Sequence, residues 1–112
     1  MIWVQHTKIY ISGPITGTSD YMERFARAEQ YLYERGYSVI NPAKVNDQLP
    51  RDTSYNEYIK MSLTMLDMAD AIYMLHGWEN SLGSKAEKMV AEANGLQVIY
   101  ENKNESKSFL RD

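Results

Sequence analysis

The run Lys8-Ile9-Tyr10-Ile11-Ser12-Gly13-Pro14-Ile15-Thr16-Gly17 decides the fold. Its first five residues form an apolar, strand-length stretch, and the glycine-rich turn behind it cannot extend a strand. An amphipathic segment comes next: Tyr21, Phe25, Ala28 and Leu32 are spaced four, three and four residues apart, as on one face of a helix. Asp20 and Glu23 give that helix a start signal and Gly36 a stop. A strand delivered directly into a helix is a βα unit, and the same alternation continues outward from it.

Tyr37-Ser38-Val39-Ile40 reads as a second strand, ended by Asn41-Pro42 because proline cannot donate to a sheet ladder and restricts the residue before it. Ala43 to Thr53 is polar, carries Pro50 and reads as a surface loop. A second helix is expected from Ser54 to about Ala69, opened by a Ser54/Glu57 capping box and burying Tyr55, Ile59, Leu63 and Leu66. Ala71 to Leu75 is continuously apolar, as in a strand covered on both faces. After a loop from His76 to Leu82, a third helix is expected over Ser84 to Asn94, stopped by Gly95, and then a fourth strand over Gln97 to Tyr100. The pattern predicts an α/β, single-domain, three-layer flavodoxin-like or Rossmann-like fold with a small parallel sheet over residues 1–112. Alternating charges at 101–112 suit a frayed tail or a docking segment.

Composition narrows the function. The chain has 112 residues, 44% of them apolar, enough for one core without disulfides or a structural metal. With no cysteine and only two histidines, His6 and His76, thiolate zinc sites, iron–sulfur clusters and disulfide frameworks are excluded. Twelve Lys and Arg against fifteen Asp and Glu leave a charge of −3 with no basic run, which argues against duplex nucleic acid as a partner. No apolar run approaches the ~20 residues of a membrane span, and the start lacks a signal-peptide layout. A cytoplasmic protein is expected.

In an open parallel sheet, ligands bind beyond the carboxyl ends of the strands. Three loops leave those ends: Gly13 to Asp20, Asn41 to Thr53 and His76 to Ser84. Gly13-x-x-x-Gly17 could present free backbone amides to a phosphate, or simply form a tight βα turn. It is neither a dinucleotide fingerprint nor a Walker loop. Glu87 falls in the first turn of the third helix, where the dipole favours an ionised carboxylate capable of nucleophilic attack. Ser84-x-x-Glu87 also fits a capping box with no chemistry. Tyr10, near the end of the first strand, could orient Glu87 or fill the core. Trp78 could wall a base pocket by stacking, or cover the sheet end. His76 has no partner at metal-ligand spacing.

The first run, together with Asn41-Pro42-Ala43 and with Ala69 to Leu75 followed by Gly77-Trp78-Glu79-Asn80-Ser81, resembles a small phage and prophage family. That family is similar to the nucleoside 2-deoxyribosyltransferases and the 2'-deoxynucleoside 5'-phosphate N-hydrolases, and the resemblance spans about residues 8–100. It implies that Glu87 is the nucleophile on the anomeric carbon and that Tyr10 hydrogen-bonds it. It implies further that Gly13, Ile15 and Gly17 form a first phosphate loop, and Ser81-Leu82-Gly83 a second phosphate-contacting segment. Two positions depart from the pattern. Ser62 stands eight residues before Asp70, where the N-hydrolases carry an aspartate that assists departure of the base, and Thr16 replaces the phosphate-loop arginine.

These readings lead to a protein that binds a small nucleotide or nucleoside and cleaves or transfers at the N-glycosidic bond, with no metal or organic cofactor. Ser62, a hydroxyl where the hydrolases use a carboxyl, favours the alternative of a binding module without turnover; cleavage of NAD is a third reading. The resemblance also implies a homodimer or larger oligomer, for which Met61, Met65, Met68 and Met89 could supply an adaptable apolar interface or else fill the protomer's own core.

Overall fold

The computed structural model describes residues 7–102. The expectations for the tail at 103–112 and for residues 1–6 lie outside the described residues. The elements in chain order are β1 (Lys8–Ser12), α1 (Tyr21–Glu34), β2 (Ser38–Ile40), α2 (Pro42–Asn46), α3 (Tyr55–Asp67), β3 (Ala71–Met74), a 3-10 turn (Trp78–Asn80), α4 (Leu82–Ala93) and β4 (Gln97–Tyr100). The four strands form one all-parallel sheet in the order β2-β1-β3-β4. Strand order reverses between β1 and β3, and their carboxyl ends therefore open the crevice where parallel α/β sheets bind ligands.

Alternation along the central strands separates two apolar layers. Ile9 and Ile11 of β1, with Ala71, Tyr73 and Leu75, pack against Phe25, Ala28 and Leu32 of α1 and Ala43 of α2. Tyr10, Ile72 and Met74 face the other way, toward Met65 and Leu66 of α3 and Ala91 of α4. The result is the three-layer α/β fold that the sequence predicts. Both α1 and α4 stop in the same manner. The glycine after the cap takes a positive φ, 89° at Gly36 and 76° at Gly95, and the next amide bonds back three residues inside the helix, Tyr37 to Leu32 and Leu96 to Ala91.

Several local expectations are corrected. The segment read as loop from Ala43 to Thr53 contains α2, with Pro42 in its first turn and Asn41 capping it by accepting from the Lys44 amide at 3.2 Å. The second predicted helix is present as α3, with the full Ser54/Glu57 capping box, but Tyr55, Ile59 and Leu63 are exposed. Its buried residues are Met65 and Leu66 near the carboxyl end, so α3 docks by one end and leaves its first turns at the cavity mouth. The methionines divide: Met65 is buried and Met61 packs against the core, while Met68 and Met89 are exposed.

Candidate active site

Tyr10 and Ser12 are two residues apart on β1, so the pleat points both side chains to the same face of the sheet. Glu87 of α4 meets them there. Tyr10 Oη donates to Glu87 Oε2 at 2.5 Å, and Ser12 Oγ donates to Oε1 at 2.6 Å. Burial pushes the Glu87 carboxyl above its ordinary value, opposed by the Ser12 and then the Tyr10 hydrogen bond, each of which favours the charged form. The Tyr10 phenol is raised well above its usual range, first by burial and then by the negative charge and hydrogen bond of Glu87, while the neighbouring Ser62 hydroxyl pulls it the other way. Tyr10, Ser12 and Glu87 therefore form a connected polar cluster between β1 and α4, with Ser62 of α3 close to Tyr10.

Ser12 escaped the sequence reading. Its signal was the strand period itself, which places it on the face of Tyr10, but a lone serine at a strand end carries no pattern that points to a carboxylate far along the chain.

Glu87 lines a cavity of about 920 Å³, in the upper range for small-molecule sites. All three carboxyl-end loops contribute. Gly13, Ile15 and Thr16 come from the first, Asn46, Asp47 and Arg51 from the second, and Ser81, Gly83 and Ser84 from the third. Tyr55, Tyr58 and Ser62 of α3 complete the wall. Of the predicted site residues, Glu87, Gly13, Ile15, Ser62, Ser81 and Gly83 come together around this space, with Tyr10 behind Glu87. Arg51 is the cationic side chain on the wall, and it was missed because a lone arginine in a polar stretch carries no local pattern.

Two predicted residues lie elsewhere. Gly17, with φ 81°, shapes the turn closed by the Thr18 amide on the Ile15 carbonyl at 3.2 Å and is not part of the cavity wall. Trp78 packs against the core on the α4 side, 5.9 Å from the Tyr100 ring and beneath Lys88 Nζ at 5.4 Å, covering the sheet end rather than the cavity.

The third helix starts earlier than predicted. Ser81 is its cap and accepts from the Ser84 amide at 3.2 Å, so the Ser84/Glu87 capping box does not form and Glu87 sits in the second turn. Freed from a capping role, its carboxylate is held entirely by β1. Gly13 is required for packing, because a Cβ there would stand 2.8 Å from Leu75 Cβ, whereas at Gly83 it would meet only Ser81 Oγ at 3.9 Å.

Among the described residues no group of three or more metal-ligating side chains stands together, and no helix is long and apolar enough to cross a membrane.

The parallel sheet, its crevice and its flanking helices define a flavodoxin-like α/β domain. The chain belongs to the family described as a domain of unknown function (DUF4406), whose model matches residues 7–100. Among solved structures it is similar to a 2-deoxyribosyltransferase from the psychrotolerant bacterium Bacillus psychrosaccharolyticus, with a TM-score of 0.69 and 20% identity over 84% of this chain and 71% of that one. No curated protein matches the sequence.

Proposed function

We propose that the cavity binds a nucleoside or nucleoside 5'-monophosphate and that Glu87 breaks its N-glycosidic bond. The observation that carries this reading is the half-buried carboxylate of Glu87, gripped on both oxygens by hydroxyls of one strand and facing a nucleotide-sized cavity. A remaining lone pair of the carboxylate attacks the anomeric carbon; the bond to the base breaks, and its electron pair leaves with the base, which takes a proton from water. The ester so formed is opened by water or by a second base at the same carbon, and Glu87 leaves as carboxylate. Tyr10 and Ser12 hold the attacking group in one rotamer, which limits the entropy lost on reaching the transition state. Arg51 and the amides around Thr16 and Gly83 supply positive potential for a 5'-phosphate.

One observation favours the second reading, binding without turnover. Ser62 lines the cavity beside Tyr10, and a hydroxyl there cannot protonate a departing base as a carboxyl would. We further propose that the protein pairs with a second copy, supported by the exposed Tyr55, Leu63, Leu82 and Met89 of α3 and α4. Light scattering that shows a monomer at micromolar concentration overturns the pairing.

The functional test is incubation with nucleosides, their 5'-monophosphates and NAD, followed by chromatography for free base, with binding measured in parallel. Base release by the wild type and none by Glu87→Gln supports the mechanism. Undiminished release by the variant rejects it, and binding without release supports the module.

A further inference from the structure

Breaking an N-glycosidic bond requires a group to meet the anomeric carbon and a base that is able to leave. An ordinary purine or pyrimidine leaves as an anion unless it is protonated, and a positioned acid contributes ~10²–10⁴-fold to such a step. Glu87 meets the first requirement. Among the described residues that line the cavity, however, there is no histidine, cysteine or lysine. The carboxyls of the wall are Glu87 itself and Asp47, which is exposed to solvent at the end of α2. Its other protic side chains are hydroxyls, amides and the Arg51 guanidinium, classes of group that part with a proton poorly near neutral pH. Tyr10 and Ser12 already donate their hydroxyl protons to Glu87, and Ser62 adds one more alcohol beside Tyr10.

A base that is already cationic needs no acid. In the glycosides of a pyridinium or of an N7-alkylated purine, the electron pair of the broken bond cancels the positive charge of the ring, and the base departs as a neutral molecule. The remainder of the wall suits such a ring. One arginine, Arg51, stands against the two carboxylates of Asp47 and Glu87, and Tyr21, Tyr55 and Tyr58 supply aromatic surface. A flat cation is attracted to carboxylates and to tyrosine rings alike.

We infer that the substrate of this site is an N-glycoside whose base is cationic, cleaved by Glu87 as nucleophile without a general acid. The inference rests on the reading of Glu87 as the group that breaks the N-glycosidic bond. A lone pair of the Glu87 carboxylate forms the new bond to the anomeric carbon; the carbon–nitrogen bond breaks, and its electron pair goes to the ring. Water then opens the ester, with its oxygen bonding to the same carbon, Glu87 leaving as carboxylate and the surplus proton passing to solvent. Each turnover consumes one water and releases one neutral base and one proton.

The experiment measures kcat/KM for base release at neutral pH, after subtraction of the rate without protein, on substrates paired so that charge is the variable. One pair is 2'-deoxyguanosine 5'-monophosphate and its N7-methyl derivative; the other sets nicotinamide mononucleotide and NAD against adenosine 5'-monophosphate. The two pairs distinguish an alkylated purine from a pyridinium as the cationic base. In wild type the cationic member of at least one pair is expected to react about 100-fold faster or more than its neutral partner, the lower end of what a missing acid withholds. Glu87→Gln should abolish that release, and Ser62→Asp should narrow the gap by about tenfold by speeding the neutral member. Neutral members reacting within about tenfold of their cationic partners in both pairs, or equal gains for both members in Ser62→Asp, overturn the inference. Matching rates that still require Glu87 defeat this inference alone. Undiminished release by Glu87→Gln, or no release from any substrate, defeats the functional reading as well.

Discussion

Ser12 donates a hydrogen bond to Oε1 of Glu87 across 2.6 Å, tying the end of β1 to α4. The bond favours the carboxylate over the acid, against the burial that pushes Glu87 upward. A nucleophilic carboxylate must be ionised, so base release should rise with pH along an acidic limb lying above the ordinary carboxylate range. Ser12→Ala removes one of the two groups opposing burial and should move that limb to higher pH. The expected loss is about tenfold at pH 6 and smaller at pH 8, the scale of a hydrogen bond to a charged group. A uniform loss at all pH values would show that Ser12 acts on geometry alone.

Glu87→Gln should stabilise the protein at alkaline pH. The folded carboxyl titrates above its unfolded value, so the native state holds the extra proton between the two. Its stabilising contribution is complete below the unfolded value and is lost as pH rises through the folded one. Glutamine escapes that loss. At pH 8 the variant should melt a few degrees above wild type, as ~1 kcal/mol produces in a domain of this size, with the gap closing by pH 4. A constant gap across this range would assign the difference to packing.

Substitutions at Gly13 and Gly83 should have opposite signatures. Gly13→Ala drives a Cβ against Leu75 and should cost about 1–3 kcal/mol of stability whatever the ligand. Gly83→Ala meets only an ordinary contact and removes a poor helix former, so its melting temperature should hold or rise. If the proposed phosphate site is right, its affinity for 5'-monophosphates should nonetheless fall severalfold relative to nucleosides, because the added methyl would stand between the backbone and the phosphate. Equal losses for both ligand classes would move the phosphate elsewhere.

Ser62→Asp places a carboxyl beside Tyr10 on the cavity wall. The expected result is base release about tenfold faster or more on a deoxynucleotide, short of the ~10²–10⁴-fold that a well-placed acid–base group contributes. A lower melting temperature with no gain in rate would show that the position is structural.

Long-period patterns were legible in the sequence, and short ones were not. The helix through Tyr21, Phe25, Ala28 and Leu32 repeats its apolar face often enough to stand out, and β3 is apolar throughout. In contrast, α2 is five residues long, too short for any period, and only its Asn41 cap and Pro42 marked it. Ser81 and Ser84 both fit a helix cap, and the choice between them depends on where the 3-10 turn ends, which is a tertiary matter. The stripe of Tyr55, Ile59 and Leu63 was correctly periodic but wrongly assigned to the core. Periodicity identifies a face, while what covers it depends on where the helix docks. The position of Tyr10 at the end of the first strand left its pairing with Glu87 as one of two readings, and the resemblance favoured it; Ser12 became visible only once β1 and α4 were placed together.

The separation of Tyr10 from Glu87, 77 positions along the chain, has a kinetic consequence. Parallel strands must close long loops before their pairing rewards them, and β1 finds its central neighbour β3 only after more than half of the described chain has intervened. A polypeptide halted before Leu82 contains both donor hydroxyls and nothing for them to hold. The grip on Glu87 is thus among the last features a nascent chain can acquire, and the environment of the Tyr10 ring, followed in real time during refolding, would mark the moment at which α4 arrives.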